Sequence, residues 1–367
     1  MLRHPVLQAT AMRFSLFYEL QISDPTPERE VSAFHDVLEQ AVLADALGYD
    51  CLWAVEHHGL HEYSHCSAPE ILLSFVAAKT RRLRVGHGVT LLPYRYNHPI
   101  RVAERVATLD ILSGGRVNLG TGKSASSVEQ QAFGCDVGEL HAQWREALGM
   151  LPAIWQSDVF EFEGRFFKVA PTRIVPKPVQ QPHPPLYAAC TRTQSVELAA
   201  ALGLGALCFA LGKRNELAGM VETYRAHAAR AQPVGAFATS HFACTPATLV
   251  LDDDLVACRY GMRGARFFAD ALNHYYYSGE RAAGALRARR GFLDESALRA
   301  ARKRRNGPED TYNVLVGDPV FAREYVSSFR DLGVDELILV MQMGTVPSHL
   351  VRQSITVFGE KVLPYFG

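Results

Sequence analysis

The sequence predicts an α/β protein of the (β/α)8, or TIM-barrel, class. Short apolar runs alternate with amphipathic stretches almost from end to end, and eight strand–helix units can be counted along the chain. Eight such units favour closure into a barrel over an open sheet. At 367 residues the chain is long enough for one large barrel or for two domains, so its length does not choose between them.

Taken in order, Arg13–Tyr18 (RFSLFY) reads as the first strand. Over Glu28–Leu47 the residues Val31, Phe34, Val37, Leu38, Ala41 and Val42 share one face of a helix, and Gly48 stands where a helix terminates. Cys51–Val55 is the second strand. Leu83–Leu92 is the third, followed by a helix over Pro99–Leu112 that Ser113-Gly114-Gly115 ends. Arg116–Thr121 is the fourth strand, with a helix near Leu140–Trp155 after it. Asp158–Val169 alternates around Glu163-Gly164 as an inserted β-hairpin. A proline-rich stretch, Pro176–Pro185, leads into the fifth strand, Leu186–Cys190. Ala206–Ala210, Ala236–Ala243 and Glu336–Met341 complete the set. Residues 1–11 read as a disordered leader to a single barrel domain over 12–367. The glycine-spaced basic run from Tyr260 to Gly307 reads as a solvated insertion, with a lid over the barrel mouth as the sharper alternative.

Lys+Arg and Asp+Glu number 38 each, so no global field draws the chain to nucleic acid or to an anionic membrane. No apolar run approaches the ~18 residues of a membrane helix. Seven cysteines without a C-x-x-C pair point to a reduced, cytoplasmic protein rather than a disulfide framework.

Three motifs carry chemistry. His61-Glu62-Tyr63-Ser64-His65 matches the H-E-x-x-H of zinc peptidases, which needs both histidines on one helix face. Gly59 precedes it, and Ser67-Ala68-Pro69-Glu70 is a helix start that follows it. The motif therefore falls in a loop, and no metal site is expected. Just upstream, Glu56, His57 and His58 end the second strand, where a barrel places catalytic side chains. Gly120-Thr121-Gly122-Lys123-Ser124 lacks the first glycine of a Walker loop, yet its lysine and serine suit a phosphate. Thr191, Arg192 and Ser195 open the helix after the fifth strand, a second place for an anion. No G-x-G-x-x-G follows a strand with an acid downstream, so no nicotinamide module is indicated.

In this order, WAVEHHG, LRVGHGVTLLPYRYNHPIRVAERVATLDILSGGRVNLGTGKS, PLYAACTRTQSVELAAALG and LILVMQMGTVPSHLVRQSITVFGEKVLPYF resemble the bacterial luciferase-like flavin monooxygenases, from Met12 to Phe366. The resemblance implies a barrel that binds reduced FMN, or in some branches the deazaflavin F420. It implies His57 as the catalytic histidine, with Glu56 or His58 orienting it, and Tyr63, His65 and Cys66 on the substrate approach. It implies cofactor contacts from Gly88 and Val89, joined by a cis peptide, and from Gly122, Lys123, Thr191, Arg192 and Ser195. Gly122 stands where luciferases proper carry a reactive cysteine, which points away from light emission. A separate flavin reductase would supply FMNH2, and one atom of O2 would pass through a C4a-peroxyflavin to a small organic or carrier-tethered substrate. The same resemblance leaves open F420-dependent hydride transfer and a non-catalytic flavin-binding protein. It also implies a homodimer.

Overall fold

The computed structural model describes residues 11–209, 214–278, 286, 290–305 and 314–367. Its strands are β1 (Arg13–Tyr18), β2 (Cys51–Ala54), β3 (Arg84–Leu91), β4 (Val117–Gly122), β5 (Phe160–Glu163), β6 (Lys168–Thr172), β7 (Leu186–Cys190), β8 (Gly205–Phe209), β9 (Phe242–Thr245), β10 (Ala247–Val250), β11 (Val314–Gly317) and β12 (Glu336–Leu339). Eight of them close into a parallel barrel, β1-β2-β3-β4-β7-β8-β9-β12 and back to β1. β5 and β6 form the expected hairpin outside it. The helices are α1 (Pro27–Leu47), α2 (Pro69–Lys79), α3 (Pro99–Ser113), α4 (Ser127–Ala132), α5 (Leu140–Gln156), α6 (Thr193–Ala201), α7 (Arg214–Ala228), α8 (Asp254–Asn273), α9 (Glu295–Arg304), α10 (Pro319–Asp331) and α11 (Ser348–Lys361). A π-helical turn, His274–Ser278, follows α8. Among the described residues, no helix is long and apolar enough to cross a membrane.

The barrel floor is polar. Trp53 is fully buried, and its Nε1–H donates to Oε1 of Glu336 at 3.0 Å, while Oε2 of Glu336 lies 2.7 Å from Nε2 of His241. A Cβ on Gly86 would sit 2.4 Å from the Trp53 ring, so only glycine admits the indole at that point of β3. These contacts fill the lower barrel and leave the opposite face, where the strands' C-terminal ends gather, for chemistry.

Four expectations are corrected. α1 buries Val37, Gln40, Ala41 and Ala44, while Val31, Phe34 and Val42 are exposed. The buried stripe is set by small side chains and by the Tyr18 hydroxyl, which donates to Gln40 Oε1 at 2.7 Å. α2 starts at Pro69 behind Ala68, which makes no side-chain cap, so Ser67 does not cap it. The seventh barrel strand is Phe242–Thr245, not Ala236–Ala243. Ala236 instead lies in a loop, its N–H held by Nε2 of His183 at 2.9 Å. The insertion does not begin at Tyr260, because α8 runs through Asn273 and buries Phe267, Phe268 and Leu272. A small parallel sheet of β10 and β11 was not anticipated. Within the stretch read as an insertion or lid, residues 260–278, 286 and 290–305 are described and include the end of α8, the π-helical turn and α9. Residues 279–285, 287–289 and 306–307 lie outside the described residues, as do residues 1–10 of the expected leader.

Candidate active site

β2 ends at Ala54, and Glu56, His57 and His58 follow two residues on, each facing different partners. Nδ1 of His57 lies 2.8 Å from Oε1 of Glu129 in α4. Its Nε2 lies 2.9 Å from the Tyr276 hydroxyl and 3.7 Å from Oε2 of Glu19, the residue after β1. Oε2 of Glu129 accepts the Ser124 hydroxyl at 2.6 Å, and Oε1 also accepts the His58 N–H at 2.9 Å. The imidazole is thus flanked by two carboxylates, one just after β1 and one on α4, and all three groups are buried.

Burial alone would depress the His57 imidazole, but the negative charges of Glu129 and Glu19 outweigh it and raise its pKa to about 9. Burial likewise opposes ionisation of Glu129, yet the imidazolium and the Ser124 and His58 donors hold its carboxyl below the usual range. Glu19 lacks that many donors. Burial pushes it up to about 7 against the pull of His57 and the Tyr63 hydroxyl, which donates to Oε1 at 2.8 Å. At neutral pH the site therefore holds an imidazolium, one firm carboxylate and one carboxyl near its midpoint.

Glu56 is placed differently. Its Oε2 accepts the Leu91 N–H at 2.8 Å and its Oε1 accepts the Asn97 amide at 2.8 Å, which ties the end of β2 to the end of β3. Its remaining neighbour is Nε2 of His58 at 3.3 Å, not the ring of His57. The His58 ring lies against Phe133 and Tyr96.

Residues 61–65 form a turn closed by an antiparallel bridge between Leu60 and Ser64, not a helix. Tyr63 is buried beside His57, with ring centroids 5.7 Å apart. His65 turns outward, its Nε2 2.8 Å from the His61 carbonyl and its Nδ1 3.2 Å from Glu30 on α1. Cys66 is buried, which raises its thiol, and its carbonyl accepts the His57 N–H at 2.9 Å. Of the three residues expected on the substrate approach, Tyr63 alone has its side chain against His57.

On the other side of the mouth, the Gly88–Val89 peptide is cis and Gly88 packs beside Phe17 and Trp53. A Cβ on Gly122 would fall 2.6 Å from Cγ2 of Val89, so these two residues form one tight surface. β4 and β7 are neighbours, which puts exposed Lys123 beside exposed Thr191 and Arg192. Oγ of Ser195 accepts the N–H groups of Thr191 and Arg192, each at 3.1 Å, and donates to the Arg192 carbonyl. Ser195 therefore shapes the first turn of α6.

Sequence reading missed Glu19, Glu129 and Tyr276, and it gave Ser124 to a phosphate, whereas the Ser124 hydroxyl donates to Oε2 of Glu129. Glu19 carried one signal, a carboxylate next to a strand's C-terminal end. Glu129 and Tyr276 sit on short elements with no motif of their own.

A family model described as luciferase-like monooxygenase matches residues 12–336. The oxygenase component of a flavin-dependent trigonelline monooxygenase from Acinetobacter baylyi is 31% identical over 191 residues, 51% of each chain. An F420-dependent glucose-6-phosphate dehydrogenase from Amycolatopsis mediterranei is 32% identical over 187 residues, 50% of this chain and 55% of that protein. The chain spans about half the length of the curated relatives it matches. A solved monooxygenase from Streptomyces bottropensis shares the fold, with a TM-score of 0.80 at 24% identity over 97% of this chain and 100% of that one.

Proposed function

The chain belongs to the luciferase-like monooxygenase family, and from that premise we propose that it is the oxygenase of a two-component flavin-dependent monooxygenase. A separate flavin reductase delivers reduced FMN, and one atom of O2 passes to an organic substrate. The observation that carries this reading is His57 at the barrel mouth, held between Glu129 and Glu19.

The residues present fit a flavin mononucleotide. Lys123, Arg192, Thr191 and the first turn of α6 suit its phosphate, with Ser195 holding that turn in shape. Gly88, Val89 and Gly122 offer a side-chain-poor surface for a flat ring. Oε2 of Glu19 is buried without a hydrogen-bond partner among the described residues, which suits a mouth built to receive another molecule. Bound reduced FMN supplies the electrons that activate O2. His57 supplies or takes a proton at Nε2, the nitrogen turned away from Glu129. Glu129 keeps the ring charged and oriented, Tyr63 and Tyr276 cover it against water, and Glu56 holds the strand ends rather than acting on the substrate. Two copies of the chain form the working unit in this reading. The exposed Ile71 and Phe75 of α2, flanked by Arg101 and Glu104 of α3, offer an apolar, charge-balanced face for it.

A second reading, F420-dependent hydride transfer, is favoured by the Amycolatopsis mediterranei relative. Anaerobic titration with reduced FMN and reduced F420 in parallel separates the two. Tight binding of reduced FMN is expected, and binding of F420 alone would replace the proposal. If every O2 consumed returns as hydrogen peroxide across a substrate panel, the chain is a flavin-binding protein without an oxygenase role.

A further inference from the structure

The mouth holds one buried carboxylate oxygen to which the oxygenase reading gives no part in proton movement. Glu19 is 1% exposed, and its Oε2 has no hydrogen-bond partner among the described residues. The rest of the residue is firmly placed. The Tyr63 hydroxyl fixes Oε1, and the Ser64 hydroxyl donates to the Glu19 carbonyl at 2.6 Å. The next residue, Leu20, has φ 53°, a left-handed conformation that a branched side chain rarely adopts. Its carbonyl accepts the His65 N–H, so the turn keeps the carboxyl of Glu19 inside the mouth. A buried acid held this carefully, with its free oxygen 3.7 Å from Nε2 of His57, is more than a partner for Tyr63.

We propose that Glu19 and His57 share one mobile proton, which passes from Nε2 of the imidazolium to Oε2 of Glu19 and back. The N–H bond breaks and the O–H bond forms, while Nδ1–H stays on the ring and remains hydrogen-bonded to ionised Glu129. A cation and an anion become two neutral groups, so the transfer moves no net charge into or out of a buried site. At 3.7 Å the two atoms are beyond hydrogen-bond length, so the ring must turn from Tyr276 toward Glu19 for the proton to cross. Facing Glu19 are His57, Tyr63 and Glu129; facing His57 are Glu129, Glu19, Tyr63 and Tyr276, with the charge of Glu56 reaching it from farther off. Glu19 is thus a positioning residue that acts through His57, and the inference rests on the oxygenase reading only for the use made of the proton.

The test needs no flavin. In the full chain, carboxyl and imidazole resonances are followed against pH, with Glu19→Gln and His57→Gln identifying the signals. The Glu19 carboxyl should titrate near neutrality, at about 7. In Glu19→Gln the His57 midpoint should fall by about one pH unit, and Glu19→Asp should restore most of it. A Glu19 carboxyl that titrates like an ordinary glutamate, or a His57 midpoint unmoved in Glu19→Gln, overturns the proposal. Should Glu19→Gln fail to fold, His57→Gln decides: loss of the imidazolium must raise the Glu19 midpoint, and an unchanged midpoint refutes the sharing. Both readouts stand apart from flavin binding, so failure here leaves the oxygenase reading untouched, and the reverse holds.

Discussion

Nδ1 of His57 and Oε1 of Glu129 are 2.8 Å apart, although 72 positions separate them in the sequence. β2 carries the histidine to the mouth, and the short helix after β4 carries the glutamate to meet it. The pair makes the imidazole a held cation rather than a free base, and much of the expected behaviour follows from that.

Glu129→Gln keeps an oxygen for the ring and for Ser124 but removes the charge. Burial then dominates, and the His57 pKa should drop from about 9 by at least about one unit. Imidazole resonances followed against pH read this directly; a midpoint that stays near 9 would assign the shift to some other group.

His57→Ala removes the proton-carrying ring while leaving the residues proposed for the phosphate intact. Oxygenation should fall by about 10²-fold or more, with affinity for reduced FMN within a few-fold of the parent. Equal losses in both measurements would make His57 a binding residue instead.

Stability should depend on pH through the same ring. The folded pKa of His57 lies above its ordinary 6.5, so the stabilisation is fully present below pH 6.5 and is lost as pH rises through about 9. A shift of that size is worth up to about 3 kcal/mol. Glu19, also raised, adds a loss between its ordinary 4.5 and about 7. Melting temperature should therefore fall between pH 6.5 and 9, and the fall should be smaller in His57→Gln. Parallel pH profiles for the two proteins would rule this out.

Lys123→Ala tests the phosphate assignment. FMN should bind about tenfold more weakly, while riboflavin, which has no phosphate, binds as before. Calorimetric titration of both ligands separates the cases, and equal weakening would place Lys123 elsewhere on the flavin.

The barrel was legible because strand–helix alternation is a property of the whole chain, and each of the eight barrel strands was found at or near its place. Ala236–Ala243 was misplaced because Ala236 and Phe237 lie in a loop held at His183, by the Ala236 N–H and by stacking of Phe237 on the imidazole, and only Phe242 and Ala243 enter the strand. The outer face of α1 misled for a related reason. Val31, Phe34 and Val42 are apolar but exposed, and the buried side is built from Val37, two alanines and one hydrogen-bonded glutamine. At the site, His57 was legible from its position at a strand end. Its partners were not, since Glu19, Glu129 and Tyr276 reach it from three other segments and are joined only by the fold. The H-E-x-x-H spacing proved to be a bridged turn, and Tyr63 within it is the residue that touches the site.

The most direct measurement is a single turnover of the anaerobic protein loaded with reduced FMN, mixed with isotopically labelled O2 and a panel of organic substrates. The account predicts one labelled oxygen atom in the product and the other in water, with the yield lost in His57→Ala. Product that carries no label, or reduction of substrate by F420 without any need for O2, would contradict it.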